Sequence, residues 1–382
     1  MSRKTLQLLA ALVVGLVLLL VVIEETDHTG SPQTRRLLPD LETQANSADT
    51  VLIETSDAAG NVTLHRTDDH WTVVERDGYP VDIAKLRSLM VALAGASVIE
   101  EKTSNPDLYA KLGLDDPADG GDGIKVTVSG DGFSETVILG KTAQRDFRYA
   151  LVSGQATSYL IDKNPDIPKK IGGWLEPDVV DIPSKRVRRV SITHADGETI
   201  VIDKASRDLT DFTVEGVPAG RDLSYASVGN GIAAVLAKLQ LEDVRAAVDA
   251  PAETTTVFDS WNGLRITAKV TPDGDDAWIA FSAEAVPVQN TAEPAPDNGE
   301  TADGETDTSG SGDDDTAAKA TGGEKAPDAK PAEASPPAPD VQAAEINKRL
   351  GGWQYKVADY KKNLLTRRWK DILKAEPADK QK

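Results

Sequence analysis

One order of pattern elements occurs twice in this 382-residue chain, and it constrains the fold more than any other feature. The segment "DTVLIETSDAAGNVTLHRTDDHWTVVERDG" alternates apolar and polar side chains between turn signals, as antiparallel strands do. The later segment "RVRRVSITHADGETIVIDKASRDLTDFTVEG" repeats this alternation. In this comparison Val190 and Ile192 take the places of Val51 and Ile53.

Both alternating segments are followed by apolar residues at helical spacing, Leu86, Leu89, Met90 and Leu93 in the first and Ile232, Val235, Leu236 and Leu239 in the second. Hairpins come next, and each unit ends on Gly-Gly-Trp, at 172–174 and at 351–353. A shared order over this length indicates an internal duplication rather than two unrelated α+β units. We therefore expect both tryptophans to be core anchors at equivalent positions, the alternative being an exposed ring that stacks on a ligand.

The N-terminus contains nineteen residues without charge, "TLQLLAALVVGLVLLLVVI" at 5–23. A helix of this length spans roughly 28 Å, close to the hydrocarbon thickness of a bilayer. Arg3 and Lys4 precede it and Glu24 and Glu25 follow, which predicts a cytoplasmic N-terminus and an extracytoplasmic remainder. A cleaved signal peptide is the alternative, but no small-x-small cleavage pattern follows the apolar run.

Two later segments have opposite charge. Residues 290–340 contain none of the large apolar residue types and carry thirteen acidic residues against three lysines, half of the chain's net charge of −20. Such a segment buries too little apolar surface to fold, so we predict a disordered tether. Residues 345–382 carry eleven basic and five acidic residues. Within them, Val357 to Leu373 predict an amphipathic helix that packs on the second unit, or else a basic surface helix that contacts anionic lipid or a partner.

The residues that carry chemistry form no recognisable constellation. The absence of cysteine excludes disulfides, thiol catalysis and cysteine-ligated metals, and the net charge of −20 argues against nucleic acid as a partner. The stretch "VILGKT" at 137–142 resembles the end of a phosphate-binding loop, but Glu135 stands where that loop needs glycine.

The four histidines, His28, His65, His70 and His194, lack the spacing of a zinc site and are predicted to lie on the surface or in turns. The acidic run Asp273 to Asp276 is interpreted as a hairpin turn, and Asp313 to Asp315 as a solvated acidic run. We therefore predict no catalytic, cofactor-binding or metal-binding residues, and no cofactor.

The segments "HWTVVERDGYPVDIAKLRSLMVALAGASV", "YAKLGLDDP" and "VILGKTAQRDFRYALV", with "GGWQYKVADYKKNLLTRR" near the C-terminus, resemble a bacterial family known as domain of unknown function 4340. The resemblance implies one N-terminal membrane helix before a soluble α+β region. It also implies an accessory envelope role beside ABC-type exporter components. It implies no catalytic residue.

The predicted fold class is α+β, an N-terminal transmembrane helix followed by two tandem repeats, each an antiparallel sheet with one amphipathic helix. The predicted segments, in chain order, are a cytoplasmic tip at 1–4, a transmembrane helix at 5–23, a spacer at 24–46, a first repeat at 47–187, a second repeat at 188–289 plus 341–374, the insert at 290–340 and a tail at 375–382.

The predicted function is that of a non-enzymatic scaffold or accessory subunit, anchored by a single helix in the bacterial inner membrane with the bulk of the chain periplasmic. Its predicted partners are the lipid bilayer and a membrane protein, with ABC transporter subunits as the candidates. The alternative is an extracytoplasmic module that binds glycan or lipid, and a hydrolase is the third hypothesis.

Overall fold

The computed structural model describes residues 35–144, 146–274, 276–288 and 337–375. The chain divides into two compact units between Pro177 and Asp178. Each unit contains one antiparallel sheet, and each sheet has nine strands in the described residues.

The first unit begins with a short helix and ends with a 3-10 turn at Ile171–Trp174. Its helices are α1 (Pro39–Gln44), α2 (Ile83–Ala94) and α3 (Tyr109–Leu112). Its strands are β1 (Ala48–Glu54), β2 (Val62–Thr67), β3 (His70–Val73), β4 (Tyr79–Pro80), β5 (Val98–Glu101), β6 (Ile124–Gly130), β7 (Phe133–Gln144), β8 (Phe147–Val152) and β9 (Ser158–Ile161).

The second unit has the same kinds of elements and ends in two short helices. Its helices are α4 (Val228–Ala233), α5 (Pro339–Leu350), α6 (Asp359–Leu365) and α7 (Trp369–Ile372). Its strands are β10 (Asp178–Val180), β11 (Val187–His194), β12 (Thr199–Asp203), β13 (Thr213–Glu215), β14 (Leu239–Ala246), β15 (Thr254–Ser260), β16 (Leu264–Asp273), β17 (Asp276–Ala285) and β18 (Trp353–Val357).

The two sheets share one strand order. The first runs β4-β3-β2-β1-β6-β7-β8-β9-β5, and the second, read in the same direction, runs β13-β12-β11-β15-β16-β17-β18-β14-β10. The first sheet therefore has β4 as an extra edge strand, and the second has β10 at the opposite edge. Val51 and Val190 occupy matching places, because each is fully buried and pairs with apolar residues of both neighbouring strands.

The predicted fold class is wrong, because antiparallel sheet dominates both units and the helices are few and short. In the second unit α4 spans only six residues, and Leu239, predicted on a helix, begins β14. Gly229 explains part of this difference, since a Cβ there would lie 2.9 Å from Ile202. Glycine allows the close contact with the sheet but weakens the helix.

The predicted membrane helix at 5–23 lies outside the described residues. Within the described part of the chain, no helix is long and apolar enough to cross a bilayer.

The expectation that the two Gly-Gly-Trp motifs are equivalent is also wrong. Trp174 is fully buried, and its indole Nε1 donates to the carbonyl of Pro168 at 3.1 Å. Trp353 is half-buried and begins β18, which matches β9 in the shared strand order. The motif therefore falls in two different elements.

The structural counterpart of Trp174 is Ile372, which is fully buried as well. The carbonyl of Trp174 accepts a hydrogen bond from the backbone N–H of Asp82 at 2.8 Å, just before α2. The carbonyl of Ile372 accepts one from Ser224 at 2.8 Å, just before α4. Each unit thus has one large, fully buried apolar side chain at this position near its end. The sequence comparison did not reveal the equivalence, because the residue is tryptophan in one unit and isoleucine in the other.

Three predicted segment boundaries differ from the structure. Leu38 and Leu41 are buried, so the end of the predicted spacer at 24–46 packs on the first unit. The second unit begins at Asp178 rather than at 188, because β10 pairs with β14. The predicted insert at 290–340 overlaps α5, which begins at Pro339.

The burial of Trp174 predicts a large difference between the two motifs. Replacement of Trp174 by Ala should lower the free energy of unfolding by about 3–5 kcal/mol, because the substitution leaves a cavity in the core. Trp353→Ala, at a half-buried strand end, should lower it by markedly less. Urea unfolding followed by circular dichroism measures both, and equal losses would contradict the assignment.

Candidate functional site

The second unit has a cleft of about 300 Å³ where β11, β15, β16 and β17 meet the C-terminal segment. Its polar lining includes His194, Thr254, Lys362, Arg368 and Lys370, and we refer to it as the His194 cleft. His194 is the last residue of β11 and Thr254 the first of β15, so antiparallel pairing places them opposite each other.

His194 and Thr254 form a hydrogen-bonded pair in the wall of this cleft. His194 is 4% exposed and Thr254 is 3% exposed. The imidazole Nε2 lies 3.0 Å from the carbonyl oxygen of Arg367, which can only accept, so Nε2 carries the proton. In the neutral ring Nδ1 is then the acceptor, and the Thr254 hydroxyl donates to it over 2.9 Å.

An imidazole beside a hydroxyl can act as the base that activates a nucleophile. Here the Thr254 hydroxyl is buried, and the group that orients the ring is a main-chain carbonyl instead of a carboxylate. The ring thereby ties the C-terminal segment to the sheet. The geometry supports a structural role for this pair.

Arg368 joins the same segment to the turn between β11 and β12. One of its Nη atoms lies 2.7 Å from a carboxylate oxygen of Asp196 and 2.7 Å from one of Glu198. The backbone N–H of Trp369 also donates to Glu198, at 2.6 Å. The hydrogen bond that Arg368 donates to Asp196, followed by the one that it donates to Glu198, raises the pKa of Arg368. The backbone N–H of Glu198, followed by Arg368, lowers the pKa of Asp196.

Further side-chain hydrogen bonds attach the C-terminal segment to the rest of the unit. The ammonium group of Lys361 donates to the carbonyls of Val235 at 2.7 Å and Ala237 at 2.9 Å, just after α4. Burial lowers the pKa of Lys361. The hydroxyl of Thr256 donates to the carbonyl of Leu365 at 2.6 Å. The basic side chains of Lys361 and Arg368 thus stabilise the packing of this segment on the second unit.

The prediction for residues 357–373 is partly confirmed. The segment is not one amphipathic helix, because it comprises the end of β18, then α6 and α7. It does pack on the second unit, since Leu365 and Ile372 are fully buried.

The histidine predictions are confirmed for two residues and wrong for one. His65 and His70 are exposed on β2 and β3, and His28 lies outside the described residues. His194 is buried. Its position carried a signal, because it continues the alternation of Val190 and Ile192 on the core face of β11.

The other candidate motifs have structural roles. Gly140 lies within β7, where a Cβ would come 2.3 Å from the carbonyl of Leu112, so this glycine serves a close backbone contact. Asp273 and Asp276 pair across the β16–β17 turn, as predicted, and bind Arg245 and Lys356 respectively. Asp313 to Asp315 lie outside the described residues. The described ranges hold no group of three or more histidine and acidic side chains that could bind a metal ion.

The buried hydroxyl–imidazole pair predicts a stability effect. Thr254→Val should lower the free energy of unfolding by about 1–3 kcal/mol, because it leaves a buried Nδ1 acceptor without its donor. The matched control is Thr255→Val, on the next residue of the strand with its side chain on the opposite face. Urea unfolding measures both, and an equal cost in the control would argue against the assignment.

The Arg368 contacts predict a change in the titration of Asp196. In Arg368→Met the pKa of Asp196 should rise toward its ordinary value, because one of the groups that lower this pKa is lost. A carboxylate with a depressed pKa stabilises the fold above its unfolded-state pKa, and this stabilisation is lost as the pH falls through the folded-state pKa. The variant should therefore lose less stability on acidification.

Carboxylate-detected NMR titration measures this pKa directly. Lys370→Met is the control, because Lys370 is exposed and no ion pair to it occurs in the described part of the chain. An unchanged pKa of Asp196 in Arg368→Met would refute the prediction.

Residues 71–257 match the family described as Domain of unknown function (DUF4340). The match runs from β3 into β15 and includes His194 and Thr254, whereas the C-terminal segment lies beyond it. No curated protein and no solved structure matches the chain. The resemblance predicted from the sequence is thus confirmed over these residues, and the chain belongs to the DUF4340 family.

Proposed function

We propose that this protein is a non-enzymatic scaffold or accessory subunit of the bacterial cell envelope. The proposal rests on the observation that polar side chains in and near the His194 cleft are bonded to other groups of the protein. His194, Lys361 and Arg368 all bind other groups of the same unit. A catalytic site needs such groups directed at a place where substrate can react.

The sheets favour the same interpretation. Each unit is a continuous antiparallel sheet, and its edge strands β4, β5, β10 and β13 are only two to four residues long. Short edges protect a sheet from indiscriminate pairing with other chains. A rigid framework with protected edges suits a protein that presents side-chain surfaces to a partner.

The proposed location rests on the charge pattern of residues 1–27. Arg3 and Lys4 precede the apolar run, and Glu24, Glu25 and Asp27 follow it. This asymmetry favours attachment to the inner membrane with both units outside the cytoplasm. The proposed partner is a membrane protein, and the family resemblance makes subunits of an ABC-type exporter the first candidates.

Cross-linking mass spectrometry on intact membranes, with the protein at its native level, tests the proposal. We expect reproducible links from surface lysines of both units to one membrane protein, because a scaffold holds its partner in a fixed geometry. The control is the same experiment with urea-treated membranes, in which folded surfaces are lost and specific links should disappear. Links within the chain alone, or to many unrelated proteins, would overturn the proposal.

A further inference from the structure

A cluster of basic residues lies near the start of the second unit, although the whole chain has a net charge of −20. Four of the five residues from Lys185 to Arg189 are basic, across a 3-10 turn at Ser184–Arg186 and the start of β11. The pairing of β11 with β15 is irregular between Val187 and Arg189. An irregular register of this kind redirects side chains at the end of a strand.

One arginine of this cluster and one from β16 bind carboxylates of the same unit. Arg189 binds Glu215 through two hydrogen bonds of 2.9 and 3.1 Å. Arg265 binds Asp259 through two more, of 2.6 and 3.2 Å. Both pairs have the fork geometry in which arginine satisfies a carboxylate.

Arg186 and Arg207 differ from these two. Neither forms an ion pair with a carboxylate in the ranges that the structure describes. An Nη of Arg186 donates to the side-chain oxygen of Gln342 at 2.6 Å, and an Nη of Arg207 donates to the carbonyl of Trp261 at 3.3 Å. Burial lowers the pKa of Arg186, as expected for a cation that lacks a counter-charge. Both arginines line a small cavity of about 120 Å³ with Trp261 and Asn262.

Trp261 contributes an aromatic ring to the wall of this cavity. Two guanidinium groups lie near its ring, that of Arg188 at 5.8 Å and that of Arg207 at 5.7 Å from the ring centroid. Its indole Nε1 is buried and has no hydrogen-bond partner among the described residues. The buried N–H leaves the ring as the part of Trp261 that lines the cavity.

The size and donors of the cavity restrict what it could hold. Its volume corresponds to about four water molecules at roughly 30 Å³ each, well below the roughly 300–1,000 Å³ of sites for larger ligands. The guanidinium groups that line it can donate hydrogen bonds but cannot accept them. A fitting ligand is therefore a small anion that accepts from several sides, as a tetrahedral oxyanion does and a flat carboxylate does less well.

We propose that this cavity, the Trp261 pocket, binds a phosphate group through Arg186 and Arg207. The phosphate is either free or the head group of a phospholipid, and both present the same oxyanion. The site goes beyond the scaffold role and does not depend on it.

The unit contains a matched control for this pocket. Arg245 lies over the ring of Trp278 at 4.4 Å, so it repeats the pairing of guanidinium and indole. Arg245 also forms an ion pair with Asp273 at 2.6 Å, so its guanidinium group is already bound to a carboxylate of the protein and is not available to phosphate. Arg245→Gln should leave phosphate binding unchanged.

The test follows the indole N–H resonances of the full-length chain by NMR, with that of Trp261 assigned through Trp261→Phe. Inorganic phosphate, titrated at constant ionic strength, should shift the Trp261 resonance in a saturable way, whereas chloride should not. Arg186→Gln with Arg207→Gln should weaken binding by at least about tenfold, because two charge-assisted hydrogen bonds are lost. Circular dichroism checks that each variant remains folded.

The second arm separates the two sources of phosphate. Soluble short-chain phosphatidylglycerol is titrated into the same sample, with a glycerol ether of equal chain length that lacks phosphate as its control. Saturable binding tighter than that of inorganic phosphate identifies a lipid site, and binding of inorganic phosphate alone identifies a free-anion site. The proposal is overturned if neither ligand gives a saturable shift, or if Arg245→Gln weakens binding as much as the double variant does.

Discussion

The second unit depends on the insertion of β18 between β14 and β17, in the interior of its sheet. Both neighbours precede the long acidic insert in sequence, so the sheet is complete only when the chain returns at α5. Helix α5 is fixed against the sheet before β18 begins, because the side-chain amide of Asn347 exchanges hydrogen bonds of 2.8 and 2.7 Å with the backbone of Ala283 on β17. Unsatisfied backbone groups inside a sheet are costly, and β18 therefore belongs to the fold despite its distance along the chain.

The charges of the second unit fall into two sets. In the C-terminal segment, Lys361 binds carbonyl groups and Arg368 binds carboxylates of the same unit. These positive charges therefore hold the segment against the sheet. At the other end of β15, Arg186 and Arg207 have no such carboxylate in the described residues. The first set of cations stabilises the fold, whereas the second could bind an anion from outside the protein. The net charge of a sequence segment does not distinguish the two sets.

Much of the strand pattern was predictable, because side chains on a strand alternate between core and solvent with a period of two. That period correctly matched Val190 and Ile192 with Val51 and Ile53. The Gly-Gly-Trp match failed because Trp174 ends a 3-10 turn whereas Trp353 begins a strand. The His194 cleft was not predictable, since His194, Thr254 and Arg367 come from three distant parts of the chain.

The sequence by itself determined the alternation of strands, the hairpin turn at Asp273 to Asp276, the charge of each segment and membership of the DUF4340 family. These properties are local or compositional, and short-range rules suffice to derive them. Only the tertiary structure decided which strand lies beside which, that Ile372 is the counterpart of Trp174, and which arginines meet a carboxylate. These properties depend on contacts between residues far apart in the chain, and hydrophobic periodicity contains no information about which distant segments pair.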